Sequence, residues 1–145
     1  MTRVRPSDVE LADAAATIVA EAMICCPKLL PATAAVDAVR ESLRSEHVHA
    51  ALLVDGGALV AVVEASDLSD SLPADSPAVA LGSLRGRVTR PDADLVTTRD
   101  AMTALGRRRL AVVDSGGRCL GLLCLKNSGR GFCSDADVRA RALDL

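Results

Sequence analysis

"ALLVDGGALVAVVEASDL", Ala51 to Leu68, holds two short apolar runs on either side of a glycine turn, with an acidic residue after them. "LAVVDSGGRCLGLLCLKN", Leu110 to Asn127, repeats the pattern. A short apolar run bounded by turn residues reads as a buried strand, and two such runs around Asp-Gly or Gly-Gly read as a hairpin. The turn residues Asp55 and Asp114 are 59 residues apart. Self-similarity at that period means one supersecondary unit written twice. A lone hairpin is not stable in water, whereas two copies packed together bury both sheets.

Outward from each hairpin the pattern is also shared. Before the first, Val36, Val39 and Leu43 recur at helical spacing, with Thr33 as a candidate cap. Before the second, a helix carries Leu95, Met102 and Leu105. Ser66 and Asp67 can cap a short helix after the first hairpin. "TIVAEAMICCP" reads as an extended piece, one helical turn and a stop before Pro27. Ser7 and Glu10 have capping-box spacing, so a helix is expected to start near Ser7. "DSLPADSPAV", rich in Pro, Asp and Ser, reads as a linker. "NSGRGFCS" reads as a loop, and Ser134 with Asp137 as the cap of a closing helix. The resulting organisation is an N-terminal helix in 1–16, repeat one in 17–70, a linker in 71–79, repeat two in 80–128, and a loop with a C-terminal helix in 129–145.

Composition bounds the function. The chain has 145 residues, half of them hydrophobic, and Phe132 is its one aromatic residue, so the core is aliphatic. Seventeen basic residues nearly balance nineteen acidic ones. That balance, without aromatic stacking platforms, argues against a nucleic-acid partner. No apolar stretch approaches a membrane span, and acids interrupt the apolar part of the N-terminus, so a cytoplasmic protein is expected. Five cysteines, an odd number with no C-x-x-C pair, suit packing residues better than a disulfide framework or a zinc site. Cys133, in the expected loop, is the one most expected to be exposed. No nucleophile elbow, metal-ligand pair at helical spacing or phosphate loop before a helix is present, so no enzyme is expected and no cofactor is required.

The residues "VAEAM…P" from Val19 to Pro27, "HVHAALLVDGGALVAVVEASDL" and "RRRLAVVDSGGRCLGLLCLK" together resemble the CBS domain, and the whole chain resembles a tandem CBS pair, or Bateman module, of the stand-alone actinobacterial type. The resemblance implies an α/β fold, an α+β sandwich of two pseudo-twofold repeats with clefts between them. It also implies an adenosine ligand, a sensor role towards an unidentified regulated protein, and a homodimer.

The family's ribose motif is Gly, two apolar residues, Thr or Ser, two residues, Asp. In repeat one it reads Ala61-Val62-Val63-Glu64-Ala65-Ser66-Asp67, and in repeat two Gly121-Leu122-Leu123-Cys124-Leu125-Lys126-Asn127. A carboxylate at a helix start can accept both ribose hydroxyl protons. Asp67 keeps that charge and Asn127 loses it. Glu64 departs from the motif and would repel phosphate, while Ser66 can supply the missing hydroxyl. The basic residue before the first hairpin strand, which often faces phosphate, corresponds to His49 and Arg108. Adenine would lie near Ile24 and the apolar wall at Val62. The resemblance thus implies one site around Asp67, Ser66, Ile24 and His49, taking AMP or S-adenosylmethionine ahead of ATP. Each residue also has a plainer role: Asp67 as a helix cap, His49 as a solvated helix end, Arg107 to Arg109 as a solvated turn. Two other functions remain open. One is an interaction module whose clefts have lost their ligands; the other is a cysteine-based redox or metal sensor.

Overall fold

Alternation along the hairpin strands sets the layers. The computed structural model of the chain describes residues 8–10, 17–25, 27–44, 50–126 and 131–133. In chain order these are β1 (Asp8–Glu10), a 3-10 turn (Val19–Glu21), β2 (Leu29–Pro31), α1 (Val36–Leu43), β3 (Ala50–Asp55), β4 (Ala58–Glu64), 3-10 turns at Ala65–Asp67 and Val79–Leu81, β5 (Val88–Thr89), α2 (Leu95–Leu105), β6 (Arg109–Val113), β7 (Cys119–Cys124) and β8 (Gly131–Cys133). Strands β2-β3-β4 form one three-stranded sheet and β5-β6-β7 another. Each has one parallel and one antiparallel pairing, so the protein is a mixed α+β fold of two like sheets.

The period of two puts alternate residues on opposite faces. Ala51, Leu53, Ala61 and Val63 pack against Val36 and Val39 of α1. Leu110, Val112 and Leu123 pack with Leu95 and Met102 of α2. The intervening positions Leu52, Val62 and Ala111 form a third cluster shared by both sheets. Slipping either strand by one residue would exchange the two faces, so the register is strongly specified.

The two copies superimpose residue by residue in their pairing. Leu52 faces Val62, and Ala111 faces Leu122. The offset is 59 before the turn and 60 after it, because "DSGG" has one residue more than "DGG". Both hairpins carry a bulge at matching places, Leu53/Val54 and Val112/Val113.

The repeats are joined by main-chain bridges that come in matched pairs. Ile18 with Asp94 corresponds to Pro77 with Ala35, and Ile24 with Leu122 corresponds to Ser83 with Val62. Each repeat's entry segment therefore pairs with the other repeat's hairpin. At each of the second pair of joints one facing position is glycine. A Cβ on Gly82 would sit 2.8 Å from the Val62 carbonyl, and one on Gly121 would sit 2.5 Å from the Ile24 carbonyl. Ala61 faces Gly82, and Met23 faces Gly121, so the small residue has changed sides between copies. The hairpin tips also meet: Leu59 donates to the Gly117 carbonyl at 2.9 Å, and Cys119 to that of Gly57 at 3.1 Å.

Several local expectations give way to tertiary pairing. Asp8–Glu10 is a strand, antiparallel to Gly131–Cys133, where the Ser7–Glu10 spacing predicts a helix. The remainder of 1–16 and all of 134–145, with the closing helix and its Ser134 cap, lie outside the described residues. The expected loop contains β8, whose Phe132 is fully buried in the repeat-two core. Cys133, expected to be exposed, is only 3% exposed as a result. Thr33 does not cap α1; Ala35 holds that position without a side-chain cap. The linker supplies the acceptors instead, because Val36 and Asp37 donate to the carbonyls of Ser76 and Ala74. The segment 71–79 is thus a strap across the α1 N-terminus. In α2, Asp94 caps through Thr97, and Leu105 is exposed rather than buried.

Candidate functional site

Val62, Glu64, Ser66 and Asp67 come together where the first hairpin ends. Strand β4 closes at Glu64 and the chain turns at once through Ala65–Asp67. That turn is a single 3-10 turn instead of a short α-helix. It returns the Asp67 carboxylate to the strand end, where Oδ2 accepts the Glu64 backbone N–H at 2.8 Å. Ser66, at the tip of the turn, is exposed. Val62 is buried between the sheets and bridged through its main chain to Ser83.

That bridge delivers a residue that local sequence reasoning passes over. Arg87, just before β5, donates from Nη1 to Asp67 Oδ2 at 2.5 Å and from Nη2 to Oδ1 at 3.1 Å. Nη1 also donates to the Val62 carbonyl at 2.7 Å, and Nη2 lies 3.4 Å from Glu64 Oε1. From the other side, Arg107 donates to Glu64 Oε2 at 2.7 Å. Two carboxylates of repeat one and two guanidiniums of repeat two therefore form one network across the joint. A planar guanidinium fits a carboxylate with two parallel bonds, which lysine could not do. The side chains of Arg87 and Asp67 are 11% and 15% exposed, so solvent screens this pair weakly.

The network perturbs its members. Burial pushes the Asp67 carboxyl up, but the Arg87 hydrogen bonds, the Glu64 N–H and the charges of Arg87 and Arg107 outweigh it and hold it below its ordinary value. The Asp67 hydrogen bond, helped by the charges of Glu64 and Asp67, raises Arg87 against the opposing effect of burial. Glu64, expected as a bare carboxylate, is engaged by two guanidiniums.

Beside the network lies a recess of about 360 Å³ lined by Glu64, Leu105, Gly106 and Arg107 to Arg109. Arg108, one of the expected phosphate residues, lines it, and its Nε donates to the Leu125 carbonyl at 3.3 Å. Ile24 is not grouped with β4. It exchanges main-chain hydrogen bonds with Leu122 at 2.8 and 3.0 Å and packs with Cys124 and Cys133 on repeat two. The crossing of the entry segments is the reason: the segment that meets β4 is that of repeat two, bridged through Ser83 to Val62, and it brings Arg87 to Asp67. His49 and Asn127 lie outside the described residues. Among the described residues no group of three His, Cys, Asp or Glu side chains could hold a metal ion, and no helix is long and apolar enough to cross a membrane.

No protein-family model matches the chain, and no curated protein matches it significantly by sequence. Its fold, in contrast, is widely shared. It is similar to the cytosolic domain of the Mg²⁺ channel MgtE in complex with ATP, with a TM-score of 0.64 and 21% identity over 75% of this chain and 46% of that one, so this chain spans less than half of that domain. It is similar to a cystathionine beta-synthase pair domain from Shewanella oneidensis MR-1, with a TM-score of 0.68 and 17% identity over 90% of this chain and 75% of the other. It is also similar to a CBS domain protein from Pyrobaculum aerophilum complexed with AMP, with a TM-score of 0.63 and 23% identity over 87% and 98% of the two chains. The duplicated sheet, the crossed entry segments and these likenesses give one conclusion: the chain has the fold of a tandem CBS-domain pair.

Proposed function

We propose that the chain is a regulatory module that binds an adenosine nucleotide at the joint around Asp67 and performs no catalysis of its own. The observation that carries this reading is the Asp67 carboxylate, fixed by the Glu64 N–H and flanked by Arg87 and Arg107 where the repeats meet. A ribose diol needs a charged acceptor, and a phosphate needs guanidinium donors; both lie here within one network. The AMP and ATP bound to similar folds support the ligand class. Binding exchanges partners: the ribose hydroxyls take Asp67, and Arg87 keeps the Val62 carbonyl and Glu64 while turning towards phosphate. Because the network is neutral when empty, charge does not rank ATP behind AMP. S-adenosylmethionine, which carries no phosphate, gains nothing from the guanidiniums and should bind less tightly than AMP. The exchange alters contacts between the repeats, and that change is the signal passed to a regulated protein.

A second copy of the chain is the expected assembly partner. Val96 and Leu105 of α2 remain 50% and 70% exposed. Apolar side chains in such positions suit a twofold helical contact.

One observation favours a different reading. The Asp67 carboxylate already accepts three hydrogen bonds, so an ion pair can stand in for a ligand and hold the repeats together. The chain is then an interaction module. Calorimetry with AMP, ADP, ATP and S-adenosylmethionine on wild type, Asp67→Ala and Arg87→Ala separates the two. Nucleotide binding in wild type that weakens about tenfold or more in Asp67→Ala supports the sensor, since hydrogen bonds to charged groups are worth about 1.5–3 kcal/mol. No heat with any ligand in all three proteins supports the interaction module.

A further inference from the structure

Where β8 meets the end of β7 lies a second chemical pair that the nucleotide reading leaves unused. Cys124 ends β7 and Cys133 ends β8. Leu125 is bridged to Phe132, and the Lys126 N–H donates to the Gly131 carbonyl at 2.9 Å. Continuing that antiparallel register by one step sets Cys124 directly opposite Cys133. Their sulfurs are 3.1 Å apart, Cys124 donating to Cys133, and both residues are buried at 4% and 3% exposure. Directly opposed strand residues have α-carbons about 4.5–5.5 Å apart, within the range a disulfide spans, and the sulfurs need to close by about 1 Å to bond. In repeat one, Glu64 stands where Cys124 stands in repeat two, so the pair is not a consequence of the duplicated fold.

We propose that Cys124 and Cys133 form a reversible redox pair that a peroxide oxidises to a disulfide. The thiolate of one cysteine attacks the peroxide O–O bond, giving a sulfenic acid and one water after protonation. The sulfur of the other displaces the sulfenic oxygen as a second water, forming the S–S bond. Two thiols lose two protons and two electrons, and hydrogen peroxide is reduced to two waters. A dithiol reductant reverses the step by thiol–disulfide exchange. The consequence is local. Strands β1 and β8 have three residues each, a ribbon too short to be stable by itself. It is held to repeat two by the Leu125–Phe132 bridge and by the buried Phe132 ring. The disulfide converts this attachment into a covalent one, pinning β8, and β1 through it, to β7.

Peroxide treatment of the full chain followed by non-reducing peptide mass spectrometry tests this. The expected product is a 2 Da loss located in a Cys124–Cys133 linked peptide, removed by dithiothreitol and still formed in the Cys25→Ser/Cys26→Ser double variant. Hydrogen exchange at 131–133 and 8–10 should slow on oxidation, and Tm should rise by about 5–10 °C. Linkage that requires Cys25 or Cys26, irreversible oxidation to sulfinic acid in place of linkage, or linkage without slower exchange in the two strands would overturn it.

Discussion

Replacing Arg87 by alanine removes one side chain that holds both halves of the protein. The side chain makes two charge-assisted hydrogen bonds to Asp67 and one to the Val62 carbonyl. Breaking a fully buried ion pair costs about 3–5 kcal/mol, and a surface pair is worth about 0–1. At 11% and 15% exposure the Arg87–Asp67 pair lies nearer the buried limit, but water can reach the carboxylate once the arginine is gone. Asp67 also retains the Glu64 N–H, and Arg107 remains close by. The expected loss for Arg87→Ala is therefore about 2–3 kcal/mol. Asp67→Ala should cost less, about 1–2 kcal/mol, because Arg87 keeps the Val62 carbonyl and Glu64. In a double-mutant cycle the pair should show a coupling of about 1–2 kcal/mol. Urea unfolding of the four proteins measures all of these terms. A change under about 0.5 kcal/mol in Arg87→Ala, or additive single effects, would show that the network does not join the repeats.

Three other outcomes follow from the same structure. Gly121→Ala should cost about 1–3 kcal/mol in urea unfolding, since its Cβ meets the Ile24 carbonyl, whereas Gly116→Ala, with a nearest neighbour at 3.5 Å, should cost less than about 1 kcal/mol. Because Asp67 is held below its ordinary value of 3.8, its contribution to stability is complete above that pH and is lost as pH falls through the folded value; Asp67→Asn should flatten the acid limb of stability measured below about pH 4. Light scattering at micromolar concentration should give a dimer, and Leu105→Glu, which puts charge on the exposed α2 position, should shift it to monomer.

The hairpins and their duplication were legible because they are written in neighbouring residues. Asp55-Gly56-Gly57 and its counterpart at Asp114 mark the turns, and β4 runs over the same Ala58–Glu64 as the second apolar run. The core positions Val36, Val39, Leu95 and Met102 follow from helical spacing alone. What escaped depends on residues far apart in the chain. Arg87 looks like any basic residue before a short extended piece; only the Ser83–Val62 bridge carries it to Asp67, 20 residues earlier. The same crossing sends Ile24 to Leu122. The strand at Asp8–Glu10 follows from pairing with Gly131–Cys133 more than a hundred residues later, and that contact overrides a helical cap signal worth at most about 2 kcal/mol. Asp67 is legible from its place in the motif, whereas its partner Arg87 is not.

Native mass spectrometry in an excess of AMP separates a nucleotide anchored by Asp67 between the repeats from an ion pair that only joins them. Wild-type protein should gain the mass of one AMP per chain, and Asp67→Ala, kept folded as judged by its urea transition, should need about tenfold or more AMP to reach the same occupancy. An unliganded wild-type spectrum, or equal AMP occupancy in the two proteins, would show that Asp67 does not anchor a nucleotide.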